Sequence, residues 1–247
     1  MTGNLGEVMY YPGMYDRKRP SPSELAKRFL REWAIEIKDV KIPITICFSR
    51  MIGVGVLEIA DLVGKRLGFR VVDRQIMEHI ATQAELSEKT VALFDERHPG
   101  RMRELLALLF GEKAFVESDY TRQLFSAVLS IAGIGNSILV GRGAHLILRR
   151  DRVLAVRFIA SKSYRAKRLA KILEISEDEA ARKLSQMDKE QQAFFKEVFN
   201  EKDVLPDEFD LVINCDYLDR PEWAAQIVAE AFNLKFGDEM QRPEPAA

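Results

Sequence analysis

The stretch from Ile44 to Gly68, ITICFSRMIGVGVLEIADLVGKRLG, constrains this chain more than any other. It reads as an apolar strand, a short glycine-containing turn and an amphipathic helix. The near-continuous apolar character of Ile42 to Phe48 predicts a strand covered on both faces, as in a parallel sheet. Val56 to Leu67 is the helix that follows, and Gly68 closes it as a left-handed C-cap. A strand that turns directly into a helix aims backbone N–H groups at one point, which attracts anions. The loop Ser49-Arg50-Met51-Ile52-Gly53-Val54-Gly55-Val56 nevertheless lacks the Lys-Ser/Thr that normally ends a phosphate-cradling loop. The scaffold points to nucleotides, while the loop chemistry puts phosphoryl transfer in question.

The rest of the chain repeats the alternation of strand and helix. Phe69 to Val72 is a second strand ending at Asp73, Ser137 to Val140 a third ending in Gly141-Arg142-Gly143, Val153 to Ile159 a fourth, and Asp210 to Asn214 a fifth. Helical patterns run over Gln75–Ala84, Glu88–Glu96, Arg101–Phe110 and Ser118–Ile131, an all-helical insertion over about 75–131. Lys162 to Glu174 is helical. Ser176 caps a further long helix, with Glu179 completing the capping box, and Pro221 to Phe232 closes the domain. The expected architecture is a three-layer α/β/α sandwich on a five-stranded parallel sheet with right-handed crossovers, spanning residues 41–236. An extension over 1–40 precedes it and a polar tail over 237–247 follows. In the extension, Ser21-Pro22-Ser23-Glu24 opens a helix over about 22–39, and Leu25, Phe29, Trp33 and Ile37 form one apolar stripe. That stripe needs a partner surface, either the main domain or a second subunit, so the region near Trp33 is the expected docking or homo-oligomer contact.

Composition removes several function classes. The formal net charge of -1 gives no global pull toward nucleic acid or anionic membrane. No stretch approaches the roughly 20 apolar residues of a membrane span, and the N-terminal residues show no secretory apolar core. The two cysteines, Cys47 and Cys215, fall in expected core strands and read as buried thiols, and the location expected is cytoplasmic. His79, His98 and His145 have no metal-ligand spacing, so no protein-held metal is expected.

In open parallel sheets, ligands bind beyond the C-terminal strand ends. Ser49, Arg50 and the Gly53–Gly55 turn follow strand one, Asp73 and Arg74 strand two, and Gly141-Arg142-Gly143 strand three. Ser161 with Arg165 and Arg168 follows strand four. Arginine makes bidentate phosphate contacts, so a phosphate-rich ligand suits this set. Each residue also has a plainer reading. The two loop glycines could form only a tight turn, and Arg142 could sit on a surface turn. Arg165 and Arg168 could be solvated on one helix face, Asp73 could only cap a helix, and His145 could be structural.

The order of blocks ITICFSRMIGVGVLEIADLVGKRLGFRVVDR, ILVGRGAHLIL, VRFIASKSYRAKRLAKI, EDEAARKLSQMDKEQQAFF and DLVIN resembles the cytidylate kinase-like family, within the P-loop nucleoside monophosphate kinases. The resemblance covers about residues 42–235. It implies that Gly53, Val54, Gly55, Val56 and Leu57 cradle the donor β-phosphate, beside Ser49 and Arg50. It implies that Asp73 and Arg74 serve the acceptor, and that Arg142 holds the acceptor's phosphate. Arg165 and Arg168 lead into a lid over about 165–200 that also carries Asp188. It further implies ATP and Mg²⁺ as cofactors, with a nucleoside monophosphate or other small acceptor as substrate.

Three departures stand against that implication. The family's GSGG reads Gly53-Val54-Gly55-Val56, its SRE reads Ser49-Arg50-Met51, and its lid arginine is replaced by Gln191. An arginine on a transferring phosphate is worth about 10³-fold or more in rate. The alternative expectation is therefore a nucleotide-binding or scaffold protein of the same fold that no longer transfers phosphate.

Overall fold

The computed structural model describes residues 43–82, 119–199 and 204–240. Five parallel strands, β1 (Thr45–Arg50), β2 (Arg70–Val72), β3 (Ser137–Val140), β4 (Val153–Ile159) and β5 (Leu211–Asn214), lie in the order β2-β3-β1-β4-β5. Among the described residues the helices are α1 (Val56–Leu67), α2 (Arg74–Thr82), α3 (Asp119–Ile134), α4 (Ala144–Ile147), α5 (Lys162–Leu173), α6 (Glu177–Phe199) and α7 (Pro221–Met240). The expected five-stranded parallel α/β sheet is observed. The extension helix near 22–39, the helical patterns 88–96 and 101–110, and the tail from 241 lie outside the described residues. None of the helices described is long and apolar enough to cross a membrane.

Strand β1 is central because its side chains are apolar in both directions. Ile44, Ile46 and Phe48 join one core beneath α1 and α7, while Cys47 joins the opposite core formed with α3 and α4. Thr45 pairs in register with Ser137 on one side and Val153 on the other. Consecutive strands lie on opposite sides of β1, so its C-terminal end is the point where the strand order reverses. Cys47 and Cys215 are free and buried, and burial pushes the Cys47 thiol well up, so it stays neutral.

The last helix runs to Met240, past the end at Phe232 suggested by the sequence, and Gly237 lies inside it. Phe236 buries in the core beneath α1, and Arg152 Nη1 donates to Glu239 at 2.6 and 2.7 Å. Those two contacts outweigh the roughly 1 kcal/mol helix penalty of an interior glycine. His145 is structural. It is buried, lies 3.2 Å from Glu208 Oε2 and stacks obliquely on Phe209. Burial lowers its pKa, and the Glu208 hydrogen bond opposes that only in part.

Helix α1 approaches the sheet closely at Gly64. A Cβ there would lie 2.7 Å from the Phe69 carbonyl oxygen and 3.3 Å from Val71 Cγ2. Gly68, at φ +70°, returns its N–H to the Gly64 carbonyl and turns the chain into β2. Gly64→Ala is therefore expected to destabilise the fold by about 1–3 kcal/mol through overpacking, although alanine is the better helix former. The midpoint of urea unfolding measures it, and an unchanged or raised midpoint contradicts the close approach.

Candidate functional site

The strand-to-helix turn adopts a cradle conformation. Met51 N donates to Phe158 O at 3.0 Å, which ends β1. Gly53 (φ +87°) and Gly55 (φ +83°) then take left-handed backbones, and α1 begins at Val56 with no side-chain cap. Its first turn thus presents N–H groups at the positive end of the helix dipole. Val54 and Val56 turn inward, each 3% exposed, and pack in the core beneath α1. Their apolar side chains stabilise the turn from below, which accounts physically for Val54 in place of a hydroxyl residue. Leu57 is half exposed at the mouth of the turn.

A helical hairpin of α5 and α6 folds down onto this turn. Ile52 buries into the hairpin's own apolar cluster with Ala166, Leu169, Ala170, Ala180 and Leu184. Arg165, 4% exposed, donates through Nη1 to Ile52 O at 3.2 Å and to both Asp188 oxygens at 2.9 and 3.0 Å. Its Cβ and carbonyl occupy the space where a Gly53 side chain would begin, 3.3 and 3.1 Å away. One turn on, the Arg168 guanidinium lies against Gly55, 2.6 to 2.7 Å from where a Cβ would stand, and Nη2 donates to Glu58 Oε2 at 3.0 Å. Gln191 Nε2 donates to Arg50 O at 3.1 Å. Arg165 and Asp188 hold the hairpin to the loop, while Arg168 places a cation over the cradle.

Beyond the C-terminal ends of β1 and β3 lies a cavity of about 460 Å³. Arg50, Arg74 and Arg142 line it together with Glu78, Tyr120 and Phe194. Gly141, Arg142 and Gly143 have φ of +92°, +51° and +67°. Three left-handed residues in succession make a sharp turn, and one that is not glycine costs on the order of 1–2 kcal/mol. That turn aims Arg142 at Phe194, its guanidinium carbon 3.9 Å from the ring centroid, and into an ion pair with Glu78. Glu78 also accepts from Arg74 Nε at 3.2 Å. Burial, then Arg74 and Arg50, push the Arg142 pKa down to about 10. Burial and Arg74 lower that of Arg50 as well. Three mutually repelling guanidiniums, two of them sharing Glu78, form a site that favours an anion.

Other expected site residues turn elsewhere. Asp73 caps α2, accepting from Ile76 N at 2.9 Å. Ser49 is buried and accepts from Arg157 Nη1 at 2.7 Å, beside a second cavity of about 260 Å³ that Arg157, Asp188 and Gln191 line. A third cavity, about 110 Å³, runs from Gly55 and Arg168 to Tyr164, Cys215 and Asp219 beyond β5. Glu78, Phe194 and Arg157 are participants that sequence reading missed. Arg157 carried a signal, a charge in the otherwise apolar strand VLAVRFI, and Glu78 follows Arg74 by one helical turn. Among the described residues no cluster of three or more His, Cys, Asp or Glu side chains could hold a metal.

The model of the cytidylate kinase-like family matches residues 45–217, and the chain belongs to that family. Among solved structures, it is similar to an uncharacterized protein from Eubacterium ventriosum at 16% identity and a TM-score of 0.57, covering 77% of this chain and 98% of that one. It also matches a shikimate kinase from Bacteroides thetaiotaomicron at 13% identity and a TM-score of 0.40, covering 78% and 98%. A third match is TT1252 from Thermus thermophilus, at 19% identity and a TM-score of 0.41, covering 82% and 100%. The first of these likenesses supports the fold alone. No curated protein matches the chain.

The Arg165–Asp188 pair gives this site a test. Asp188→Ala leaves a buried guanidinium with only the Ile52 carbonyl. Because Asp188 is 30% exposed, the loss expected is about 2 kcal/mol rather than the full 3–5 of a wholly buried pair. Denaturant unfolding measures it. A loss below a few tenths of a kcal/mol would mean the hairpin is not held to the loop by this pair.

Proposed function

We propose that this member of the cytidylate kinase-like family transfers a phosphoryl group from ATP to a nucleoside monophosphate or another small anionic acceptor, with the acceptor's anion held by Arg50, Arg74 and Arg142. The observation that carries this reading is the convergence of those three guanidiniums on one cavity at the C-terminal end of β1, beside the left-handed glycine turn. A phosphate entering it would replace mutual repulsion of the arginines with charge-assisted hydrogen bonds.

The donor side fits a polyphosphate on its own observations. The first turn of α1 has no side-chain cap, Gly53 and Gly55 take left-handed backbones without side chains, and the Arg168 guanidinium lies over Gly55. Arg168 would take the place of the loop lysine that this chain lacks. Arg165, committed to Asp188 and the Ile52 carbonyl, would hold Arg168 in place and not bind phosphate itself. Magnesium, when bound with the nucleotide, would neutralise phosphate charge. Glu58, in the first turn of α1 and paired with Arg168, is the carboxylate at that end to support it. Catalysis here rests on positioning and charge: the hairpin excludes water, Arg50 stands between the turn and the acceptor cavity, and Arg142 fixes the acceptor.

A second reading, a nucleotide-binding protein without transfer activity, draws on the same hairpin. Ile52 is buried in it, and Gln191, where the family has an arginine, is spent on the Arg50 carbonyl. Calorimetric titration with ATP, with and without magnesium, separates the two. Magnesium-independent binding with no ADP release would favour the second.

An ADP-release assay over the nucleoside monophosphates and small carboxylate and phosphate acceptors tests the first. Arg142→Ala is expected to reduce transfer about 10²–10³-fold and to raise the acceptor KM, leaving ATP binding unchanged. The same low ADP release from both proteins with every acceptor would overturn it.

A further inference from the structure

The outer face of α7 carries an apolar stripe. Trp223 is 46% exposed, Ile227 38% and Leu234 80%, while Ala224, Ala225, Val228, Phe232 and Phe236 fill the core on the inner face. The three exposed side chains fall at a helical spacing of four and seven, so they lie along one side. From Trp223 to Leu234 the stripe is about 16 Å long. Arg220 covers the Trp223 ring in part, its guanidinium carbon 5.0 Å from the centroid.

We infer that the chain's own residues 22–39 cover this stripe, as a helix lying beside α7 and parallel to it. Their apolar stripe, Leu25, Phe29, Trp33 and Ile37, is about 18 Å long at helical rise, which matches the stripe on α7. The tether also reaches. Lys235 Nζ donates to Val153 O at 2.9 Å, and Val153 is the register partner of Thr45, one strand away. The C-terminal end of α7 thus stands beside the start of β1. Pro43 and Ile44 are already placed at the start of β1, which leaves residues 40–42 as the tether; they span at most about 10 Å, enough to cross one strand spacing of about 4.8 Å and the radius of a helix. A segment ending there and running back along α7 sets Ile37 near Leu234, Phe29 near Ile227 and Leu25 near Trp223. Charge agrees with that direction. The exposed Glu222 and Glu230 on α7 meet the half of the segment that carries Lys27, Arg28 and Arg31.

Trp33 and Trp223 are the chain's two tryptophans, so each surface carries a reporter. In the full-length Trp33→Phe protein only Trp223 emits. Adding Leu25→Asp and Phe29→Asp is expected to shift its emission to the red and to increase its quenching by acrylamide, to the same extent across a dilution series. Unchanged emission overturns the inference, and so does a shift that dilution alone reproduces in the parent Trp33→Phe protein, since a second copy would then be the cover. A measurement on otherwise intact protein guards against misfolding of the charged variants. The Phe29→Cys, Ile227→Cys pair is expected to close an intramolecular disulfide on mild oxidation, with Cys47 and Cys215 buried and out of reach. Failure to close it, or closure between chains, also overturns the inference.

Discussion

Arg165 is the interaction on which the working edge of this molecule depends. A guanidinium taken out of water is costly unless its charge and its donors are both matched. Here the charge and the Nη1 donor are matched from two different elements, the Ile52 carbonyl in the turn after β1 and the Asp188 carboxylate in α6, while Nε is buried without a partner. The requirement therefore runs both ways. Gly53 must be left-handed and without a side chain, or Arg165 cannot reach the turn. Helices α5 and α6 must form a hairpin, or Asp188 cannot meet Arg165. The apolar seal around Ile52 then lowers the local dielectric and makes the pairing stronger than it would be at the surface. Once that assembly closes, Arg168 has little freedom except to lie over Gly55.

The edge is thereby divided into two positive basins with different histories. At the glycine turn the charge comes from a helix N-terminus and from Arg168, and Glu58 balances it. In the larger cavity it comes from three arginines carried on three elements, β1, α2 and the turn after β3, with Glu78 shared between Arg74 and Arg142. Arg142 also accepts an unfavourable backbone, burial and the repulsion of Arg50 and Arg74. Strain concentrated on one residue that faces a cavity is the pattern of a site held ready for a ligand. Phe194 stacks beneath that guanidinium, which fixes its plane and limits the entropy lost when an anion arrives.

Much of the architecture was legible because periodicity and punctuation agree along the chain. The bounds of β3, β4 and α1 and the left-handed Gly68 follow from apolar runs and glycine placement alone. The end of α7 did not, because Gly237 signals a stop. The contacts that override it, Phe236 in the core and Glu239 on Arg152, are tertiary. The site was legible as a list of arginines at strand ends but not as a division of labour. Arg165 and Arg168 look equivalent in sequence, three apart on one helix. Only the fold sets one against Asp188 and the other against Gly55. Ser49 and Asp73 sat at the expected strand ends, yet their side chains are spent locally, on Arg157 and on the cap of α2. Short polar side chains at such positions are often claimed by the nearest backbone or strand neighbour, and spacing cannot reveal that.

The departures in the loop therefore weigh differently once packing is known. Val54, between the left-handed Gly53 and Gly55, and Val56, the first residue of α1, do not fill the cradle, because both side chains turn into the core. A hydroxyl at 54 would have to be buried there at a cost, so valine is the better choice for this particular core. Gln191 is a different matter. Its amide is spent on the Arg50 carbonyl, a neutral bond that steadies the end of β1 but adds no charge. The cation missing from the turn and the cation missing from position 191 leave Arg168 as the guanidinium that the hairpin sets against the turn. Because Arg168 reaches the turn only through the Arg165–Asp188 assembly, charge at the glycine turn and packing of the hairpin are one event. In a loop that carries its own lysine they would be two.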